Sequence, residues 1–159
     1  MLTMKGKYIT LFGILAIVFL ASGCVGFKAT TDQVPLGIAV DRLNYTPLMS
    51  STVGIGLTPQ YPAGIDNATV GFRWQTDYGY FLSWGAPDFK VNNNGKDVTG
   101  TDRKVYWSYS PDDMGKEKPT AHVTLTMVDR ATGRAINTTG IDIGWESRDV
   151  ARVIKAESG

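Results

Sequence analysis

His122 is the only histidine and Cys24 the only cysteine in this 159-residue chain, so acid–base, nucleophilic and zinc chemistry would rest on very few side chains. His122 falls in the alternating segment Ala121–Asp129, on the polar side opposite Val123, Leu125 and Met127. A solvated surface imidazole is expected there rather than a general base. Zinc sites usually draw on several His or Cys ligands, and none is expected. Asp112-Asp113 is the one adjacent pair of carboxylates. Flanked by Pro111 and Met114-Gly115, the pair reads as turn chemistry. A calcium site there is the weaker alternative, because the D-x-D-x-D-G spacing of an EF-hand is missing. No cofactor, no metal and no enzymatic activity are expected.

Aromatic residues offer more. Tyr78-Gly79-Tyr80-Phe81-Leu82-Ser83-Trp84 and Tyr106-Trp107-Ser108-Tyr109 concentrate rings in two short stretches. On an extended strand Tyr78, Tyr80, Leu82 and Trp84 would share one face. Flat rings with a polar edge stack on sugars or fill a partner's pocket at little entropic cost. Most of these rings are expected in the core with Phe72 and Trp74. Tyr78, Tyr80, Trp84 and Tyr109 are the candidate recognition residues.

The elements that would position them are strands. Leu36–Tyr45 is apolar at 36, 38, 40 and 43, with a shift near Asp41. Thr52–Thr58 sets Val53, Ile55 and Leu57 against Gly54, Gly56 and Thr58. Ala68–Thr76 sets Val70, Phe72 and Trp74 against Thr69, Gly71, Arg73 and Gln75. Lys104–Ser110 sets Val105, Trp107 and Tyr109 against Tyr106 and Ser108. Period-two alternation over such spans predicts half-buried antiparallel strands. Asn94-Gly95 predicts a two-residue hairpin between Phe89–Val91 and Lys96–Thr99, since both central residues accept positive φ. Asp129–Gly133 predicts a second hairpin with Gly as the left-handed residue. Pro59 and Pro62 punctuate an expected loop over 59–67, and Glu146–Ala156 is expected to hold a final strand. The fold class is all-β.

The N-terminus has a different composition. Lys5 and Lys7 precede the apolar run Ile9–Leu20, and Ala21-Ser22-Gly23 precede Cys24. A basic start, a short apolar stretch and small residues at a cut site define a secretory signal. The run is short for a membrane-spanning helix. Leu20-Ala21-Ser22-Gly23-Cys24 resembles the prokaryotic lipobox, with Ala21 where Leu is commoner. The resemblance implies a diacylglyceryl group on the Cys24 thiol and cleavage just before it. Two acyl chains make a stable anchor where one does not. Lipidation would also account for an unpaired cysteine in an oxidising compartment. The expected organisation is a signal peptide over 1–23, a lipidated tether over 24–35 and a β-sandwich domain over 36–159. Removing residues 1–23 leaves 136 residues with 14 basic and 15 acidic side chains. That size supports one core, and the near-neutral balance argues against nucleic-acid binding.

Two segments resemble the immunoglobulin-like and PKD-like modules of prokaryotic cell surfaces. One is Val70–Gly79, an alternating strand ending W-x-x-D-x-G; the other is His122–Asp129 followed by Thr132-Gly133. The resemblance implies an immunoglobulin-like antiparallel β-sandwich in which Trp74 packs across the two sheets. The expected function is a lipid-anchored, extracytoplasmic, non-enzymatic binding module of the cell envelope with a protein or glycan partner. A protease inhibitor using Val53–Gly56 and Tyr78–Tyr80, and a carbohydrate- or small-ligand-binding subunit, are the alternatives. Three N-x-[ST] triplets, at Asn44, Asn67 and Asn137, are acceptor sequences for N-glycosylation where the cell performs it.

Overall fold

Alternating side chains need two apolar faces to meet, and here they meet between two antiparallel sheets. The computed structural model describes residues 34–49, 53–84, 90–100 and 104–154, all within the unit Gln33–Gly159. Cys24, the segment 1–23 and the tether up to Gln33 lie outside the described residues. The strands are β1 (Gly37–Val40), β2 (Asn44–Tyr45), β3 (Ile55–Gln60), β4 (Val70–Thr76), β5 (Tyr80–Ser83), β6 (Asn92–Gly95), β7 (Asp97–Thr99), β8 (Val105–Ser108), β9 (Ala121–Asp129), β10 (Ala135–Ser147) and β11 (Val150–Ile154). One sheet runs β1-β3-β8-β5-β6 and the other β2-β11-β10-β9-β4-β7. Every pairing is antiparallel. The only helical element among the described residues is a 3₁₀ turn at Pro111–Asp113.

The predicted inward faces fill the core. Phe72, Trp74, Val123, Leu125, Met127 and Ile143 of the larger sheet face Ile55, Leu57, Phe81, Val105 and Trp107 of the smaller one, all fully buried. Each such side chain contributes roughly 1.5–3 kcal/mol relative to exposure. Trp74 on β4 meets Phe81 on β5 with ring centroids 6.3 Å apart, so it does pack across the sheets. A buried hydrogen bond adds a polar link: the Tyr45 and Ser108 hydroxyls lie 3.0 Å apart, joining β2 to β8.

The shift seen near Asp41 is a change of sheet. Leu36–Tyr45 is not one strand: β1 pairs with β3 and β2 with β11. Asp41 fixes the corner, donating its N–H to the Gly56 carbonyl at 3.0 Å and accepting from the Gly56 N–H at 2.8 Å. A Cβ on Gly56 would lie 2.0 Å from Lys104 Cε and 2.4 Å from an Asp41 carboxylate oxygen, so any larger residue there would displace this ion pair. The Asn94-Gly95 expectation needs correction. Gly95 takes a positive φ of 75°, but β6 pairs with β5 and β7 with β4. The turn carries the chain from one sheet to the other rather than closing a hairpin.

Other boundaries also moved. β3 continues through Pro59, opposite Ile38. Among the described residues its ladder with β8 covers Ile55–Leu57, so Pro59, which lacks an N–H, lies beyond that ladder. Glu146 and Ser147 end β10, and a tight Arg148-Asp149 turn leads into β11. Asp129–Gly133 forms the expected hairpin, with the Gly133 N–H bonded to the Asp129 carbonyl at 2.8 Å. Val34, placed in the tether by its sequence, packs against the core and accepts a hydrogen bond from Asn137 Nδ2 at 2.7 Å.

Candidate functional site

Rings gather at one end of the sandwich, where β8 leads into the Pro111–Asp113 turn. Tyr109 is wholly buried and meets Trp145 of β10 edge-on, centroids 4.9 Å apart. Trp107 lies 6.4 Å from Trp145, and Tyr78 approaches the same indole edge-on at 6.1 Å. The turn after β4 aims Tyr78 here: Gly79 takes a φ of 76°, and the Tyr78 carbonyl accepts from Trp107 Nε1 at 3.0 Å and Thr76 Oγ1 at 2.7 Å.

Lys118 closes this cluster. Its side chain is 2% exposed, and its ammonium sits 4.8 Å from the Trp145 ring centroid and 5.4 Å from that of Tyr109. It donates to the Lys116 carbonyl at 2.9 Å and to the Arg148 carbonyl, with Asp149 Oδ1 at 3.5 Å. Cation–π attraction is strengthened by such desolvation. Tyr78 donates its hydroxyl to Asp113 at 3.0 Å; burial first, then that bond, pushes its pKa up to about 12. The Tyr78 bond and Lys116 hold the Asp113 carboxyl below its ordinary range.

A second aromatic group lies on the outer face of the smaller sheet. Tyr106 alternates with the buried Val105 and Trp107 and so points away from the core. Beside it in register is Leu82. Trp84, 49% exposed, meets Tyr106 edge-on at 6.5 Å. Lys104 lies over the Tyr106 ring at 5.1 Å and pairs with Asp41 at 2.5 Å. Burial pushes the Asp41 carboxyl up, but bonds from Lys104, the Gly56 N–H and Arg42 together hold it below its ordinary value. Rings, an ammonium and a carboxylate thus form an amphipathic shelf.

The four candidate recognition residues are therefore divided. Trp84 is on the exposed shelf. Tyr80 is half-buried and donates to the Tyr109 carbonyl at 3.3 Å. Tyr78 is half-buried in the end cluster. Tyr109 is core, and its inclusion as a surface residue is corrected by its complete burial. The expected single row fails because Tyr78 precedes the left-handed Gly79 and because a register shift at Phe81/Leu82 breaks the alternation against β6. Lys104, Lys118 and Trp145 carried no sequence signal: a lysine in a polar loop reads as solvated until its neighbours are known.

His122 and the acidic pair have structural partners. His122 Nδ1 lies 2.7 Å from Asp142 Oδ1, and Nε2 lies 3.9 Å from Asp77 Oδ2. Both ring nitrogens therefore face carboxylates, and the Asp142 bond raises the imidazole pKa above its ordinary 6.5. Asp112 is exposed, with its N–H on Ser110 Oγ. Asp113 is engaged by Tyr78 and Lys116. Among the described residues no group of three or more His, Cys, Asp or Glu is placed to hold a metal ion. Comparison of the chain with protein-family models, with curated proteins and with solved structures finds no match in any of the three.

Proposed function

We propose that the chain is a non-enzymatic, extracytoplasmic binding module, held at the cell envelope by a lipid on Cys24. The observation that carries this reading is the chain's one cysteine standing directly after Leu20-Ala21-Ser22-Gly23, behind a basic and then an apolar segment. A β-sandwich built without a disulfide suits that arrangement, since its only thiol is consumed by the anchor. The immunoglobulin-like reading of the sandwich is supported by Trp74, which spans the two sheets from β4. Metabolic labelling with a fatty-acid analogue tests the anchor. Wild-type chain should take up label and sediment with membranes, and Cys24→Ala should do neither. Label retained by Cys24→Ala would sink the proposal.

The carbohydrate-binding alternative is favoured by one observation, the exposed Trp84 beside Tyr106, Lys104 and Asp41. Stacking on an indole with charged groups at its rim is how a shallow surface holds a sugar ring. A glycan array read with wild type and with Trp84→Ala tests it: signal lost in the variant supports the shelf, and equal signal excludes it. The inhibitor alternative finds no such support. Gly54, in the bend before β3, and Gly56, within β3, are both buried rather than displayed.

A further inference from the structure

The three N-x-[ST] triplets are equal in sequence but not in structure. Asn44 lies in β2, paired with Arg152, and its Nδ2 donates to Glu146 Oε2 at 2.7 Å. Asn137 lies in β10 at a register shift opposite Met127, and its Nδ2 donates to the Val34 carbonyl at 2.7 Å. In both, the nitrogen that would carry a sugar is already a donor and the backbone is held in a ladder. Asn67 differs. It is exposed, in the turn Asn67–Thr69 of the β3–β4 connection. Its Oδ1 accepts from the Tyr61 hydroxyl at 2.7 Å, and its Nδ2 has no partner among the described residues. That bond orients the amide by its oxygen and leaves the nitrogen to solvent. Thr69 is on the same exposed turn, its hydroxyl donating to the Asp66 carbonyl at 2.8 Å.

Space for a first sugar lies alongside. A groove of about 570 Å³ runs next to Asn67, lined by Thr58, Gln60, Tyr61 and Ile65 among others. The Tyr61 ring, fixed against Phe72 at 5.1 Å, gives it an aromatic wall. Sugar rings pack on such surfaces, and Thr58 and Gln60 supply polar groups beside it.

We propose that Asn67 is the N-glycan acceptor of this protein, with the proximal saccharide seated in the Tyr61 groove. The co-reactant is a lipid-linked oligosaccharide. A bond forms between Asn67 Nδ2 and the sugar's anomeric carbon, and the bond from that carbon to the lipid phosphate oxygen breaks. The phosphate leaves with the electron pair, and the amide nitrogen gives up one proton. No oxidant or reductant is involved. The proposal rests on the extracytoplasmic reading above, because such transfer takes place outside the cytoplasm.

The test uses full-length protein purified from the envelope of the cells that encode it. Intact mass should exceed the polypeptide mass by a saccharide, and Asn67→Gln should lose that increment while Asn44→Gln and Asn137→Gln keep it. Electron-transfer fragmentation of the wild-type tryptic peptide 43–73 should place the sugar on Asn67 rather than Asn44, with no variant needed. Lipidated protein with an unmodified Asn67, or with sugar only at Asn44 or Asn137, would overturn this inference alone. Protein recovered from the cytosol without lipid would overturn it together with the proposed function.

Discussion

Trp74 and Trp107 pose one substitution in two settings. Both are fully buried, so replacement by Phe removes similar volume. Trp107 Nε1 donates to the Tyr78 carbonyl, whereas Trp74 Nε1 finds no acceptor among the described residues. An unpaired buried donor costs about 1–3 kcal/mol, and a made bond contributes about 1 kcal/mol. Trp74→Phe is therefore expected to destabilise less than Trp107→Phe, by roughly 1–2 kcal/mol. Urea denaturation of the two variants decides it, and equal midpoints would refute the assignment. His122 gives a second measurement. Its pKa is raised first by the Asp142 bond, then by the charges of Asp142 and Asp77. The stabilisation this carries is fully present below the unfolded value near 6.5 and is lost as pH rises through the higher folded value. An NMR titration should find a midpoint above 6.5, lowered by Asp142→Asn more than by Asp77→Asn. A wild-type midpoint at or below 6.5 would show that these pairs do not form in solution.

Between strands, identical left-handed glycines have different tolerances. Gly133 and Gly79 both take positive φ, at 70° and 76°. A Cβ at Gly133 meets nothing within 4 Å, but at Gly79 it would lie 2.5 Å from the Ser108 carbonyl oxygen. Gly133→Ala should cost only the left-handed penalty, about 1–2 kcal/mol. Gly79→Ala must also displace β8 or the 77–79 bend, so its loss of stability should be at least about twice as large. Comparable thermal midpoints for the two variants would contradict the close approach. These turns also mark where sequence was legible. Alternation in β4, β8 and β9 named the buried apolar side chains correctly, because one inward face is dictated by local period, but it set Ser108 outward, where the structure buries it against Tyr45. Asp129–Gly133 was legible because a hairpin is a local event. Asn94-Gly95 was not: the dipeptide specifies positive φ, and whether the flanking strands pair with each other depends on β4 and β5. Tyr109 was named a recognition residue although its alternation with Val105 and Trp107 already turned it inward, where the rings of Tyr45, Trp107 and Trp145 and the Lys118 ammonium surround it.

Across the molecule, the two sheets are joined at one end by a buried cation. Tyr109 follows β8 of the smaller sheet and Trp145 belongs to β10 of the larger one, and the Lys118 ammonium lies over both rings. Its bonds to the Lys116 and Arg148 carbonyls tie the long loop after β8 to the β10–β11 turn. Tyr109 adds its own hydroxyl, donated to the Asp149 carbonyl at 2.7 Å. Lys118→Ala would remove bonds from a charged donor, about 1.5–3 kcal/mol, together with cation–π attraction of about 0.5–2 kcal/mol. Lys118→Met would lose the same charge but keep an aliphatic stem against Tyr109 and Trp145. If the ammonium holds the end closed, both variants should destabilise by about 2–4 kcal/mol and by similar amounts. If the stem's packing does so, Met should recover most of the loss seen with Ala. The arrangement favours the charge, because two backbone carbonyls and Asp149 all converge on Nζ. Removing a cation from such a site strands its acceptors, whatever apolar group follows. Guanidinium melts of the pair, followed by the summed fluorescence of the four tryptophans, therefore separate a sandwich pinned by an internal ion from one closed by packing alone.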